Sequence, residues 1–303
     1  AYDRYWNSTR VYPLAAFDDG RADPSRRRAD FDARIAAATA RFPALAPDAH
    51  DPLGQAAVGQ ELAHPPLTLQ DGHIQVWCDD PEKVSGRSEA GDDPTTVTAH
   101  MLAAVRDARS SLLLVSPYFV PGTKGVAAIE DARRRGIEVS LLTNSMAAND
   151  EPFVSAAYAR YREHLLKIGV DVAEISPHRL GKDRMLGPEL GHSRGRMHAK
   201  LIVIDGRSTF VGSMNLDLRS SRENTELGLM IDSPILATQV AQLVAQLREI
   251  GTYRLRYDDD TRQVQWLEQN PDGVEIFDDE PGVDLFTRMK VRLLSPFIGE
   301  GLL

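Results

Sequence analysis

The sequence is poor in cysteine, with Cys78 as its single example among 303 residues. One cysteine excludes an internal disulfide framework and a cysteine-rich metal site, and it suits a reducing compartment. Long apolar runs are missing as well, because no stretch is long enough to span a bilayer. We therefore expect neither a signal peptide nor a transmembrane segment in this stretch of chain.

Positive charge is also scarce, since 35 Lys and Arg residues face 44 Asp and Glu residues, for a net charge of -9. A non-specific nucleic-acid binder normally carries a basic surface, so nucleic acid is not the favoured partner. Any contact with an anionic membrane is expected to be local and peripheral. The hydrophobic content of 42% is ordinary for a soluble globular protein with one large domain or two small ones.

The stretch from Met197 to Asn215 has the pattern of a β-hairpin. An apolar, mostly β-branched run (Leu201 to Ile204) meets Asp205-Gly206, which is a strong turn signal, and a second run (Thr209 to Val211) follows. The sequence therefore predicts two antiparallel strands joined at this turn.

Polar groups lie at one end of the predicted hairpin. Side chains alternate along a strand, so His198 and Lys200 share one face, and Ser213 and Asn215 share a face of the returning strand. An imidazole can attack phosphorus or protonate a leaving alkoxide near neutral pH. Ammonium, hydroxyl and amide groups can hold phosphate oxygens. These groups therefore suit phosphoryl chemistry, while a lone histidine beside an apolar strand is more often a hydrogen-bonded core residue.

The pattern H-x-K-x4-D-x6-G-S-x-N resembles the HKD signature of the phospholipase D superfamily. It is matched at His198, Lys200, Asp205, Gly212, Ser213 and Asn215. In that family a glutamate beyond the motif orients the histidine, and Glu226 stands in the expected place. The resemblance implies that no metal or other cofactor is needed, because cationic side chains replace the cation.

Phospholipase D sites contain two such motifs facing each other, and this chain carries one. Of its eight histidines, only His198 is followed by lysine two positions later. The resemblance therefore implies that a missing N-terminal HKD half, or a second copy of the chain, completes the site. The opening D-x-Y-W-N-S with Tyr12-Pro13 resembles the join after the first half of bacterial cardiolipin synthases, which places the missing motif upstream of residue 1.

Helices and strands alternate from Thr95 onward. Helices are predicted over 96–109, 125–135 and 152–168, and strands over 111–115, 137–142 and 170–175. This alternation predicts an α/β fold with a mainly parallel central sheet and helices on both faces, and the resemblance implies a phospholipase D-like α/β/α sandwich. We expect a helical and linker segment (1–70), the α/β domain (71–251), and a β-hairpin with a C-terminal amphipathic helix packed on or near it (252–303).

Two loops fall at the carboxyl ends of predicted strands, where ligands bind in open α/β sheets. Both resemble the cardiolipin synthase branch, and with the loop before the hairpin they offer Tyr118, Asn144 and Arg196 as substrate-binding residues. Tyr118 is equally well explained as a core aromatic residue, and Arg196 as a scattered surface charge. Asn149-Asp150 is equally well explained as a helix N-cap and as a catalytic feature.

The resemblance implies transfer of a phosphatidyl group between phospholipids through a phosphohistidine, on the cytoplasmic side of a membrane. By analogy His198 is the general acid and base, Lys200 and Asn215 hold phosphate oxygens, Ser213 assists, and Glu226 fixes the His198 tautomer. Asp205 also counts among the catalytic candidates, although its place at the turn favours a loop-stabilising role.

Three alternative functions stay open. The first is hydrolysis of phospholipid to phosphatidic acid, and the second is a one-motif phosphodiesterase or nuclease that pairs two copies. The third is a non-catalytic half-domain that serves as an interaction module.

Overall fold

The computed structural model of the protein describes residues 2–17, 23–41, 71–85, 93–182, 196–270 and 272–294. The chain divides into two compact units, residues 1–69 and 70–303. In the first unit, helix α1 spans Tyr2–Trp6, a 3-10 turn lies at Leu14–Phe17, and helix α2 spans Pro24–Arg41. All predicted site residues belong to the second unit.

The described part of the second unit contains ten strands and seven helices. The strands are β1 (His73–Cys78), β2 (Ser111–Val115), β3 (Glu138–Asn144), β4 (Asp171–Ile175), β5 (Leu201–Ile204), β6 (Ser208–Gly212), β7 (Leu227–Asp232), β8 (Thr252–Asp258), β9 (Gln263–Asn270) and β10 (Gly273–Phe277). The helices are α3 (Val97–Asp107), α4 (Gly122–Arg134), α5 (Pro152–Lys167), α6 (Pro177–Lys182), α7 (Leu218–Arg222), α8 (Pro234–Gly251) and α9 (Leu285–Leu294). Within the described ranges, no helix combines the length and the apolar character that a membrane span requires.

Local sequence explains where the helices begin and end. The Thr96 hydroxyl caps α3 by accepting a hydrogen bond from the Ala99 N–H at 3.1 Å. Proline opens α5 and α8, at a position where the missing N–H has no helical partner to lose. Gly136 and Gly169 follow α4 and α5 with positive φ angles of 80° and 82°. The helices predicted over 96–109, 125–135 and 152–168 are confirmed to within three residues at each end.

The ten described strands form one sheet in the order β1-β7-β6-β5-β2-β3-β4-β8-β9-β10. The prediction of a mainly parallel sheet is wrong, because only the β2-β3 and β3-β4 pairings are parallel among these strands. Helical crossovers join neighbouring parallel strands along β2-α4-β3-α5-β4, whereas tight connections such as β5-β6 and β8-β9-β10 reverse the chain direction. The α/β class itself is confirmed.

Strands β8 to β10 extend the central sheet. Ile175 of β4 pairs antiparallel with Thr252 of β8, so the expected boundary at residue 252 is not a boundary of the sheet. The sequence predicts a two-stranded hairpin in this region, whereas the structure has a third strand, β10, paired with β9. Helix α9 packs against α5 through Val291 and Ala156.

Helices cover both faces of the sheet. On one face, α3, α4 and α5 pack in a core that includes Leu112 and Leu114 of β2. On the other face, Leu180 of α6 and Val244 of α8 pack in a core with Val115. Because side chains alternate along β2, the strand is buried on both sides, which explains its continuous apolar sequence.

The sheet gathers its polar loops at one edge. The neighbouring parallel strands β2 and β3 both end there. Strand β5 begins there, because Leu201 pairs with both Val115 and Val211. Gly212 pairs with Gly228, so β6 ends and β7 begins at the same edge. The predicted hairpin is confirmed, and its strands join the sheet that carries the two predicted ligand loops.

Candidate active site

An open cleft of about 470 Å³ lies at this edge of the sheet. Its walls come from the residues just before β5 and just after β6, from the loop before β7 and from the 3-10 turn after β1 (Pro81–Ser85). The lining residues are Val84, His198, Lys200, Ser213, Asn215, Glu223, Asn224, Thr225 and Glu226. The structure therefore brings together five of the six predicted catalytic residues.

His198 and Lys200 lie just before β5 and reach the cleft from the same side of the chain. The His198 side chain is exposed, and the Lys200 ammonium donates a hydrogen bond to the His198 carbonyl oxygen at 3.0 Å. Partial burial lowers the pKa of Lys200, and the carboxylates of Glu226, Asp217 and Asp150 oppose this effect. Lys200 is thus a partly desolvated cation beside the imidazole, where its attraction for an anion is stronger than in water.

Asn144 holds the segment that leads into His198. Its Nδ2 donates to the Met197 carbonyl oxygen at 3.0 Å, and its Oδ1 accepts from the Met197 N–H at 3.1 Å. The side chain is buried and does not line the cleft. The geometry therefore gives Asn144 a positioning role at the end of β3, in place of the substrate contact expected from the sequence.

Ser213 and Glu226 form a hydrogen-bonded pair on the opposite wall. The Ser213 hydroxyl donates to the Glu226 carboxylate and accepts from the Leu227 N–H at 3.0 Å. Glu226 is buried although its side chain reaches the cleft. Glu226 thus places a carboxylate in the same cleft as the exposed His198.

The Gly212–Gly228 pair allows β6 and β7 to approach closely at this wall. A Cβ on Gly228 would lie 2.1 Å from the Phe210 ring, and one on Gly212 would lie 2.5 Å from the Leu227 carbonyl oxygen. A side chain at Gly228 would force the Phe210 ring to move, and one at Gly212 would force the strand backbone to move. Glycine in the predicted motif is therefore explained by packing that fixes the position of the following Ser213.

Asn215 lies between β6 and the short helix α7. Its N–H donates to the Ser220 hydroxyl at 3.1 Å, while its side-chain Oδ1 is buried without a partner among the described residues. Asp217 caps α7 by accepting from the Ser220 N–H at 2.7 Å, and burial raises the pKa of Asp217. The Asn215 amide is thus held at the cleft by its backbone.

Asp150 joins two of the predicted substrate-binding residues. The Tyr118 hydroxyl donates to Asp150 Oδ1 at 2.7 Å, and Arg196 lies 3.4 Å from the other carboxylate oxygen. The Tyr118 hydrogen bond is the main cause that lowers the pKa of Asp150, and Arg196 and His198 lower it further. Burial and Asp150 raise the pKa of Tyr118. Tyr118, Asp150 and Arg196 do not line the cleft, but Asp150 is close enough to His198 for the imidazole to affect its pKa.

Residues 101–248 match the family model described as "Cardiolipin synthase, PLD-like domain". The chain belongs to the phospholipase D superfamily. Cardiolipin synthase C of Escherichia coli (strain K12) is 34% identical to it over 243 residues, which are 78% of this chain and 50% of that protein. Cardiolipin synthase A of Yersinia pseudotuberculosis (strain IP 31758) is 32% identical over 179 residues, or 59% of this chain and 31% of that protein. The chain thus spans half or less of the length of these relatives.

A phosphatidylserine synthase from Haemophilus influenzae gives a solved structure for comparison. It is 13% identical and superposes with a TM-score of 0.46 over 78% of this chain and 48% of that chain.

Asp205 is the one predicted catalytic residue that this phospholipase D-like domain keeps away from the cleft. It lies at the β5-β6 turn with φ of 55°, at the other end of the hairpin from His198. Its carboxylate accepts hydrogen bonds from the N–H groups of Arg109, Ser110 and Ser111 at 2.7–3.0 Å. These bonds lower the pKa of Asp205 against the raising effect of burial. Asp205 is therefore structural, as its place at the turn suggested.

A buried ion pair behind the cleft was missed by the sequence reasoning. Asp79 follows β1 and lies 2.5 Å from the Lys83 ammonium, which also donates to the Ser220 carbonyl oxygen at 2.9 Å. Asp79 further accepts from the N–H groups of Val97 and Glu226. The available signal was an aspartate at the end of a strand with a lysine four residues later, which is the spacing of an i,i+4 pair.

Within the described residues, no group of three or more His, Cys, Asp or Glu side chains converges in a way that could hold a metal ion.

Proposed function

We propose that this chain supplies one half of a two-motif phosphatidyltransferase site, in which His198 acts on a phospholipid phosphodiester. The observation that carries the proposal is the convergence of His198, Lys200, Ser213, Asn215 and Glu226 on one open cleft. The 34% identity to cardiolipin synthase C of Escherichia coli supports a phosphatidyl group as the transferred unit.

The reaction has two steps on two histidines. One histidine attacks phosphorus, the bond to the head-group oxygen breaks, and a phosphatidyl-histidine forms while the other histidine protonates the leaving alkoxide. The second histidine then takes the proton of an incoming lipid hydroxyl, whose oxygen attacks phosphorus and releases the first histidine. We assign the acid and base role to His198, by analogy with two-motif relatives.

The remaining side chains hold the phosphate and the imidazole. Lys200 and the Asn215 amide donate to the non-bridging oxygens, and a partly desolvated ammonium is well suited to this. Glu226 accepts the imidazole N–H and selects its tautomer, and Ser213 assists by its hydrogen bond to the Glu226 carboxylate. Arg196 adds positive charge at the rim.

The other motif comes from a second copy of the chain or from the part of the relatives' length that this chain does not span. The exposed position of His198 in an open cleft supports a site shared between two halves. We expect the completed enzyme to act peripherally at the cytoplasmic membrane surface, with local contacts to lipid.

Lipid mass spectrometry on phosphatidylglycerol vesicles tests the proposal, with His198→Ala as the inactive control. Cardiolipin produced only by the unmutated protein supports phosphatidyl transfer, whereas phosphatidic acid would change the assignment to hydrolysis. Cleavage of DNA in the presence of a chelator would instead indicate a paired one-motif nuclease. No turnover by the chain or by any longer protein that contains it would contradict an enzymatic role.

Mixing the unmutated and His198→Ala chains identifies the source of the second motif. If two copies share one site, activity falls with the square of the unmutated fraction, because both histidines are required. If the second motif lies on a separate segment, activity falls in direct proportion to that fraction.

A further inference from the structure

A second cavity, smaller and mostly apolar, lies on the sheet face covered by α3 and α4. Its volume is about 160 Å³. Met101 and Leu102 of α3, Ala128 of α4, and Phe119 and Ile202 at the sheet contribute to its walls. Most of these side chains are buried, with Phe119 only 1% exposed. The deeper walls of the cavity are therefore apolar.

The segment around Asn215 separates this apolar cavity from the catalytic cleft. Asn215 lines both spaces, and its buried Oδ1 has no partner among the described residues. The adjoining Leu216 is tied to Phe119 by a parallel β-bridge, so this wall is fixed to the sheet. The cleft and the cavity therefore adjoin at Asn215, so the apolar end of a molecule whose polar end occupies the cleft lies next to the cavity.

Polar and cationic side chains occur where α4 begins and where α7 ends. Lys124 and Arg222 are among the lining residues there, although the deeper walls are apolar. These two cations outnumber the one carboxylate of the lining, Asp217. An apolar interior with an excess of positive charge at its margin suits an amphiphile that carries a negative charge. A ligand without an apolar segment would gain little from such walls.

We propose that this apolar cavity binds a hydrocarbon segment of the phospholipid whose phosphate occupies the catalytic cleft. The assignment of that lipid rests on the proposed function, whereas the apolar character of the cavity does not. An apolar protein cavity of about 150 Å³ takes a ligand the size of benzene, so this one accommodates about six carbon atoms. Part of one acyl chain fits, and the remainder stays outside.

Primary alcohols from 1-butanol to 1-decanol probe the cavity without using the phosphate site. Each methylene buried in an apolar site should increase affinity about fourfold. Affinity should therefore rise steeply up to about six carbons and then level off. Chemical shifts of the Met101 and Met214 methyl groups report binding, since both side chains line the cavity.

Two neighbouring alanines on α4 provide a matched pair of variants. Ala128 lines the cavity, whereas Ala127 is exposed on the same helix. Ala128→Leu should remove alcohol binding, and Ala127→Leu should leave it unchanged. Leu102→Ala enlarges the cavity, so the plateau in affinity should move to alcohols about three carbons longer. This second variant tests the cavity even if Ala128→Leu fails to fold.

A comparison of two ligands tests whether the cavity holds an acyl chain of the lipid. Dihexanoyl-phosphatidylglycerol carries two short acyl chains, and glycerophosphoglycerol carries none. The unmutated protein should bind the acylated compound at least about tenfold more tightly, and Ala128→Leu should reduce that ratio without weakening glycerophosphoglycerol binding. An unchanged ratio, or alcohol binding that ignores both cavity variants, would overturn the inference.

If the proposed function is wrong, these experiments give a different set of results from those expected if the cavity proposal is wrong. In that case no lipid is turned over, but the alcohol series keeps its plateau and its response to Ala128→Leu and Leu102→Ala. His198→Ala should not affect alcohol binding in either case.

Discussion

Asp79 and Glu226 are joined by two hydrogen bonds of 2.9 Å. The Asp79 N–H donates to the Glu226 carbonyl oxygen, and the Glu226 N–H donates to the Asp79 carboxylate. The pairing of β1 with β7 therefore continues beyond the strand ends and brings the Glu226 side chain to the cleft. The same Asp79 carboxylate also accepts hydrogen bonds from Lys83 and Val97. One buried carboxylate therefore binds donors from three segments of the chain, at Lys83, Val97 and Glu226.

Asp79→Asn should destabilise the protein by about 3–5 kcal/mol, since it leaves the Lys83 ammonium buried without a charge partner. Urea unfolding curves measure the change. Asp80→Asn is the matched control, because Asp80 is exposed and asparagine can still accept the Glu82 N–H. That control should change the free energy of unfolding by less than about 0.5 kcal/mol. Equal effects of the two variants would contradict the role given to Asp79.

Lys200→Met should abolish turnover and raise stability at neutral pH. Burial lowers the pKa of Lys200, so folding disfavours its charged form, and this unfavourable contribution disappears as the pH rises through the folded pKa. Loss of the phosphate contact should reduce kcat about 100-fold or more. Thermal unfolding and lipid turnover, measured on the same variant, check both parts.

Lys167→Met provides the opposite case, because the hydrogen bond that its ammonium donates to Glu163 raises the pKa of this exposed lysine. That variant should keep full activity and gain no stability. A fall in stability for Lys200→Met would contradict the desolvation argument.

Tyr118→Phe should lower stability near neutral pH by about 1 kcal/mol, since Asp150 loses a charge-assisted hydrogen bond in a partly exposed site. The folded pKa of Asp150 is lowered, so this stabilisation is present above its ordinary value near 4 and is lost as the pH falls through the folded pKa. Unfolding free energies of the two proteins should therefore converge in acid. A constant difference from pH 7 to pH 3 would show that Asp150 is not involved.

Asn144→Leu should lower kcat about 100-fold while KM changes little, because the substitution frees Met197 and displaces the adjoining His198. A direct substrate contact would instead raise KM. Single-turnover kinetics over a range of lipid concentrations separate the two results. Circular dichroism at the assay temperature must show that the variant is folded.

Gly228→Ala should destabilise the protein by about 3 kcal/mol, since the new Cβ would lie 2.1 Å from the Phe210 ring. A second substitution, Phe210→Leu, removes the ring atoms concerned and should recover part of the loss. Denaturant unfolding of both single variants and the double variant measures the coupling. Additive effects would mean that the two side chains do not meet.

The sequence was sufficient to predict the β5-β6 hairpin and five of the nine residues that line the cleft, because the hairpin and the HKD motif both depend on spacing within a short stretch. It was insufficient for the Asp79–Lys83 pair, whose contacts with Ser220 and Glu226 join segments more than a hundred residues apart. Strand direction was misjudged for a related reason. Alternating helices and strands do not reveal that β5 inserts antiparallel beside β2. Such choices depend on long-range packing, which local periodicity does not record.

Asp205 has a consequence for the cleft that its distance from His198 conceals. By binding three successive N–H groups at the start of β2, it sets which residue of β5 lies opposite which residue of β2. A slip of one residue would turn every β5 side chain to the other side of the sheet. The imidazole and the ammonium would then face away from the cleft, so Asp205 keeps both groups aligned with the cleft from the far end of the strand.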